Sequence, residues 1–517
     1  MPAQAGFHDF LHHPHYGYNQ PNKKPQETSM LITTAQLLKQ LHKTTGQLAQ
    51  ETTKAEHLAV LAGMDAVINE LLLRTSNEFY IDYYRRGRAL LTEGLALQGN
   101  TLQTESLPES LSPTLAPDEI NAPIIKLAKA METLVYALGH RTDPLAQSYF
   151  RRITQWEISL YAHRLQHTAH QVTQPFDIKR EDLARYLRHK KPDWKNLEIT
   201  HFHRIAGGFS KCTILFDTVD DLNGKQSLAM RAEQPINMLR LDGSDVKNEY
   251  PLVKKAFENG IPVPEPLWLE LDKSHLNARF IVSRKLPGAN FGTAKGGDGK
   301  LSEAAIKDLA CVMANIHKIP MHRNDAWITE SHYGKWLDYG NIRANTVAHV
   351  QEFLNQAKWA NLFASPTVAR GANWLFANVP DYDAAPVFMH CDYGPHNILL
   401  DNDRVSAVLD WEVSTPGDPA FDVSWFLACT NTAVDRGQFI EAYRAAGGQP
   451  ITEYRLRYFD VFMTMVMPIT CNSALKLLED NDEANINLAI YGFQFMHEYP
   501  NRLDAAIAKA EAARASE

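Results

Sequence analysis

The sequence predicts an α+β protein with a small lobe built on an antiparallel sheet and a larger, mostly helical lobe, preceded by an all-α helical domain. Three observations predict it. Between positions 199 and 231, short β-prone runs alternate with glycine-bearing turns, the pattern of an antiparallel meander. From about 301 onward the chain is mostly helical in pattern, interrupted by one loop-rich block at 386–419. Before 170 the helical period runs with no strand signal.

Residues 1–30 are polar and carry His8, His12, His13 and His15. With nothing nearby to orient the imidazoles, the segment reads as a disordered tail rather than a metal site. Residues 31–172 read as a helical bundle of unknown role. Leu31, Leu37, Leu38 and Leu41 begin an apolar stripe, and Leu58, Leu61, Met64, Val67, Ile68, Leu71 and Leu72 share one helix face. Phe79, Tyr80, Tyr83, Tyr84, Leu90 and Leu91 suggest a further helix, whose Tyr and Arg run at 80–88 reads as packing. The prolines and polar residues of 100–117 break the pattern. Helices resume over 120–138 and 144–165, the latter behind Asp143 as cap and Pro144 in the first turn.

The texture changes after Gln174 and Pro175. The sheet-bearing lobe is expected over 178–286: a short helix at 182–187, strands at 199–202, 213–216 and 227–231, a helix at 246–259 carrying Glu249, and a strand at 279–283. Pro262, Pro264 and Pro266 force an extended exit from that helix. The helical lobe takes 287–517.

Charge and composition narrow the function. The 517 residues carry 52 Lys and Arg against 60 Asp and Glu, a net of −8, which argues against nucleic-acid binding. No run approaches the roughly 18 apolar residues of a membrane span, and the N-terminus lacks the regions of a signal peptide. The cysteines at 212, 311, 391, 429 and 471 form no CxxC pair and suit a reducing, cytoplasmic setting.

The stretch that carries chemistry is 390–412, HCDYGPHNILLDNDRVSAVLDWE. Asn397 precedes a short apolar strand, a tight turn follows at 401–403, and a second strand at 405–409 delivers Asp410. Pairing of the two strands brings the Asn397 amide oxygen and the Asp410 carboxylate together, a donor set suited to Mg2+. Asp392 lies across the loop, free to accept a hydroxyl proton. That division of labour suits phosphoryl transfer.

This stretch resembles the aminoglycoside phosphotransferase and choline kinase-like family, of protein-kinase-like fold. His390, Asp392, Asn397 and Asp410 match the family's His-x-Asp-x4-Asn and following Asp, and Gly417, Asp418, Pro419 and Asp422 match positions expected to hold the segment in place. Cys391 stands where the family often has Gly. The resemblance implies a nucleotide loop at Gly207, Gly208 and Ser210, and a phosphate-gripping Arg231, in place of the usual lysine, paired with Glu249. It also implies an adenine-binding hinge near Ser283 to Leu286, with ATP or another nucleoside triphosphate and Mg2+ as cosubstrate and cofactor. His317 reads as a packing residue, and His396 as a loop hydrogen bond or a substrate contact. No Ala-Pro-Glu segment follows Asp410, which disfavours a protein kinase.

The expected function is therefore ATP-dependent phosphorylation of a hydroxyl on a small-molecule acceptor. Arg231 and the Asp-Trp-Glu at 410–412 look closest to the acyl-CoA dehydrogenase-associated branch, which favours a hydroxyacyl-CoA or another metabolic alcohol. The alternatives are an aminoglycoside-type antibiotic kinase, hinted at by Glu479, Asp480, Asp482 and Glu483, or a catalytically silent kinase-like binding module. The helical domain is left as a dimerisation surface, a wall of the substrate cleft, or a dock for a partner enzyme.

Overall fold

A computed structural model describes residues 77–100, 106–112, 117–162, 178–205, 210–234, 244–293, 296–329, 331–360, 365–480 and 500–517, with isolated positions at 41, 45, 61, 64, 68, 102 and 492. The histidine-bearing tail, the stripe beginning at Leu31, the turn at 206–209 and positions 482 and 483 lie outside the described residues, as does most of the 58–72 face. Numbering the longer elements in chain order, the N-terminal helices are α1 (Asn77–Leu97), α2 (Pro117–Leu138) and α3 (Pro144–Ala162). The cap expected at Asp143 is present: its Oδ1 accepts from Ala146 N at 3.0 Å. The aromatic run of α1 faces inward. Tyr83 stacks on Trp156 at 4.5 Å between centroids, and the Trp156 indole donates to the Tyr83 carbonyl at 2.8 Å.

The small lobe starts with α4 (Arg180–Lys190), then β1 (Glu198–Arg204), β2 (Lys211–Asp220), β3 (Gly224–Glu233), α5 (Val246–Glu258), β4 (Pro266–Glu270) and β5 (Phe280–Arg284). The strands form one antiparallel sheet in the order β1-β2-β3-β5-β4. Alternation along β2 and β3 buries Ile214, Phe216, Leu228 and Met230, which share a core with Leu183, Tyr186 and Leu187 of α4. Asp245 caps α5 by accepting from Asn248 N at 2.8 Å. One strand differs from expectation. Pro266 opens β4, whereas the three prolines read only as an extended exit. As the first residue of an edge strand it gives up no ladder bond that the sheet needs.

In the large lobe, α6 (Glu303–Ile316), α7 (Ile342–Ala360) and α8 (Pro366–Ala377) precede the hairpin β6 (Ile398–Asp401) and β7 (Arg404–Val408). Then come α9 (Pro419–Thr430), α10 (Glu453–Asp480) and α11 (Leu503–Ser516). Their apolar faces form a core that also takes in Leu252, Val253 and Ala256 of α5, so the two lobes share packing at the root of the cleft. The α+β, two-lobed architecture is the one the sequence predicts. Among the described residues, no helix is long and apolar enough to cross a membrane.

The N-terminal helices do not stand apart from the large lobe. Their core includes Ala369 of α8 and Cys471 and Leu475 of α10. At the start of α8, the orphan N–H groups of a helix N-terminus are met from the bundle. The buried Glu157 accepts from Thr367 N at 2.8 Å and from Ser365 Oγ at 2.5 Å, and Glu132 accepts from Ser365 N at 3.3 Å. Burial, together with the neighbouring Glu157 carboxyl, pushes Glu132 up to about 7 despite the bond from Ser365. A carboxyl whose folded pKa is raised stabilises the fold while protonated and loses that contribution as pH rises. Glu132→Gln is thus expected to change the melting temperature little at pH 5 and to raise it at pH 8. Glu157→Ala strands a buried hydroxyl and an N–H, and a loss of about 2–4 kcal/mol in denaturant unfolding is expected.

Candidate active site

The hairpin places the polar residues as the spacing requires. Ile398 pairs with Val408, and Leu409 N donates to the Asn397 carbonyl at 2.7 Å, so Asn397 and Asp410 flank the same end. Asn402 and Asp403, with φ of 50° and 62°, close the other end in the left-handed region that suits a two-residue hairpin turn. Two further residues there are strained: Cys391 and Asp410 both have φ of 65°. For Cys391 this explains why a glycine suits the position. The strained peptide is held by Asp422 in α9, whose two oxygens accept from His390 N at 2.8 Å and Cys391 N at 2.7 Å. His317 Nε2 lies 3.1 Å from Asp422 and its Nδ1 2.7 Å from the Tyr443 hydroxyl, the packing role expected of it. Asp418 caps α9 through Ala420 N and pairs with the buried Arg455.

Asp392 is gripped on both oxygens. Its Oδ1 accepts from Trp425 Nε1 at 2.9 Å, and its Oδ2 accepts from Asn397 Nδ2 at 2.8 Å and lies 3.3 Å from His396 Nε2. Burial opposes its charge, but His396 and the Trp425 N–H outweigh it and hold the carboxyl below the usual range. Asp392 is therefore ionised, oriented, and still about a quarter exposed. Burial pushes His390 down, and the neutral ring accepts from Asp392 N at 3.1 Å through Nδ1 and donates from Nε2 to the Leu409 carbonyl at 2.9 Å. With Asn397 Nδ2 committed to Asp392, Oδ1 is the amide atom left to face a cation.

A cluster of opposite charges spans the lobes. Arg231 in β3 pairs with Glu249 in α5 at 3.1 Å, with Asp410, and at 3.7 Å with Glu412. The Arg231 and Asp410 side chains retain 22% and 25% of their surface, so a ligand can reach both. Glu412 is almost enclosed: Lys211 Nζ lies 2.5 Å from its Oε2, and Ser210 Oγ donates to its Oε1. Burial opposes ionisation of Glu412, but Lys211 and then Arg231 hold it below the usual range. Burial pushes Asp410 up to about 7, helped by Glu412, Glu249 and Asp392 and opposed by Arg231. Such crowding of acids is a place where a cation is favoured. Among the described residues no three His, Cys, Asp or Glu form a group that could hold a metal ion.

The structure thus brings together Asp392, Asn397, Asp410, Arg231, Glu249 and Ser210. Gly207 and Gly208 lie outside the described residues. Ser283 stands within the sheet, opposite Ala229 and Pro266, whereas Leu286 lies two residues beyond the end of β5, half-buried in the linker between lobes. Three residues of the site were not singled out from the sequence. Lys211 meets Glu412 from 201 residues away, so no local spacing reveals the pair. Glu412 appeared only as the end of a motif, and Trp425 sits in an apolar helical run where an indole reads as core.

Part of the chain is similar to known proteins. Residues 239–459 match the family model described as "Phosphotransferase enzyme family" (APH). Acyl-CoA dehydrogenase family member 11 of Rattus norvegicus is 27% identical over 227 residues, 42% of this chain but 28% of that protein, so the likeness spans under a third of the relative. Hygromycin-B 4-O-kinase of Escherichia coli is 30% identical over 104 residues, 19% of this chain and 29% of the kinase. Among solved structures, aminoglycoside phosphotransferase APH(4)-Ia, in a ternary complex with AMP-PNP and hygromycin B, is 19% identical with a TM-score of 0.41, covering 63% of this chain and 98% of that one. Residues 239–459 of this chain are thus similar to the APH phosphotransferase family.

Proposed function

We propose that the protein is an ATP-dependent kinase of a small-molecule alcohol. The observation that carries this reading is Asp392, ionised and fixed by three donors beside Asn397 and Asp410. ATP, or another nucleoside triphosphate, lies in the cleft with its phosphates toward Arg231 and the turn that carries Gly207, Gly208 and Ser210. Asn397 Oδ1 and Asp410 are hard oxygen donors, fit magnesium, and would hold it; when bound, the ion neutralises phosphate charge. Asp392 orients the acceptor hydroxyl and takes its proton as the oxygen attacks the γ-phosphorus. The bond to the bridging oxygen breaks, and the nucleoside diphosphate leaves.

For the acceptor we favour a hydroxyacyl-CoA. Support comes from the partial likeness to the acyl-CoA dehydrogenase family members and from Arg231 and Asp-Trp-Glu at 410–412. The likeness to hygromycin-B 4-O-kinase supports an aminoglycoside as the second reading. Of the acidic stretch at 479–483, the described part ends at Asp480, so the structure adds no contact in its favour.

Asp392→Asn is expected to abolish phosphoryl transfer, by at least about a thousandfold, while leaving magnesium-nucleotide binding within a few fold in calorimetry. Turnover at the wild-type rate would overturn the assignment of the base. In a coupled assay, ADP release is expected with some members of a hydroxyacyl-CoA panel and with no aminoglycoside. Release with aminoglycosides alone would reverse the substrate choice. A wild-type protein neither stabilised nor bound by magnesium-ATP would favour the silent binding module.

A further inference from the structure

The nucleotide-binding reading leaves one buried charge unexplained. Lys211 opens β2, immediately after Ser210 and the glycine turn. Its side chain is 2% exposed, and Nζ donates to Glu412 Oε2 at 2.5 Å and to the Ser244 carbonyl at 2.6 Å. A lysine this enclosed loses its hydration and is kept only where a partner and a hydrogen-bond set repay the loss. Its enclosure also keeps it from contacting a ligand without leaving Glu412. Its effect must therefore pass through that residue.

Glu412 is two residues past Asp410 and has two cations within 4 Å among the described residues: Lys211 at 2.5 Å and Arg231 at 3.7 Å. Arg231 is simultaneously engaged with Glu249 and Asp410. Three carboxylates thus share two cations, and the geometry shows the division. Lys211 answers Glu412, which leaves Arg231 to Glu249 and Asp410. If the Lys211 charge is removed, Glu412 becomes a buried carboxylate with Arg231 as its one remaining cation at that range. The guanidinium must then move toward it and away from the cleft-facing Asp410. The same contacts also moor the small lobe to the large one, because Ser210 Oγ and Lys211 Nζ grip the two oxygens of one side chain in the 410–412 loop.

We infer that Lys211 is a positioning residue for the nucleotide site: by satisfying Glu412 it keeps Arg231 aimed at the phosphates and ties the base of the glycine turn to the loop carrying Asp410. This rests on the kinase reading above and goes beyond it by naming what fixes the phosphate-gripping arginine.

The test is calorimetric titration of the full chain with AMP-PNP, with magnesium and with EDTA, alongside thermal melts. Wild type is expected to bind. Lys211→Met should melt cooperatively and bind at least about tenfold more weakly, the scale expected when one partner of a buried pair is lost. The double variant K211M/E412Q should recover to within about threefold of wild type, because a neutral amide no longer draws Arg231 away. A merely structural lysine would give no such rescue. Should K211M not melt cooperatively, Lys211→Gln, which still donates to Glu412 but carries no charge, serves in its place with the same expectation. Wild-type affinity in a folded charge-neutral variant, or a double variant no better than the single, overturns the inference alone. Failure of the wild type to bind nucleotide at all overturns it together with the kinase reading.

Discussion

Arg231 is the interaction on which the site depends. It leaves the middle of the small sheet, meets Glu249 on the helix behind it, and crosses to Asp410 in the large lobe. A guanidinium can do this because its donors are fixed in a planar fork and its charge survives burial. A lysine offers one compact ammonium and could not bind two carboxylates in the same planar manner. Burial works against the Arg231 charge, yet Asp410, Glu249 and Glu412 hold it firmly protonated. Where the resemblance implies a lysine, this chain thus carries a residue that pairs with carboxylates of both lobes.

The large lobe answers with backbone strain. Cys391 and Asp410 both occupy the left-handed region, at the two ends of the segment that holds Asp392 and Asn397. Such residues persist only where their surroundings overdetermine them. Asp422 does so for Cys391 by accepting both neighbouring N–H groups, and His317 and Tyr443 brace Asp422 in turn. For Asp410, the adjoining Leu409 N bonds the Asn397 carbonyl and Trp411 N bonds Glu249 at 3.3 Å. Glu249 thereby touches both Arg231 and the main chain of the loop that Arg231 reaches. One carboxylate on α5 thus joins the small-lobe arginine to the large-lobe loop.

What could be seen in the sequence follows from how local each determinant is. The hairpin from Ile398 to Val408 was legible because its turn, its alternation and the flanking Asn397 and Asp410 lie close together in the chain. Arg231 and Glu249 were legible as an ordered pair, strand cation then helix acid. Lys211 was not, because it answers a glutamate in the other lobe and reads locally as an ordinary strand residue. Trp425 was hidden for a different reason: on an apolar helix an indole predicts burial, and only the fold shows that its N–H is aimed at Asp392. The edge strand at Pro266 was missed because proline argues against strands, which holds in a sheet's interior and fails at its margin.

The same logic bears on the N-terminal helices, which 31–172 presented as a unit of unknown role. A module that merely recruits a partner needs a surface, not a share in another lobe's interior. Here Glu157 and Glu132 cap a large-lobe helix, Asn373 of that helix donates to the Val135 carbonyl at 2.7 Å, and Ala369, Cys471 and Leu475 complete the bundle's core. Separating the two would expose apolar surface on both and leave α8 with unsatisfied N–H groups at its start. The described helices are thus part of the large lobe's structure. Since α10 also packs on α9, which carries Trp425 and Asp422, the described helices of the bundle brace the frame that fixes Asp392.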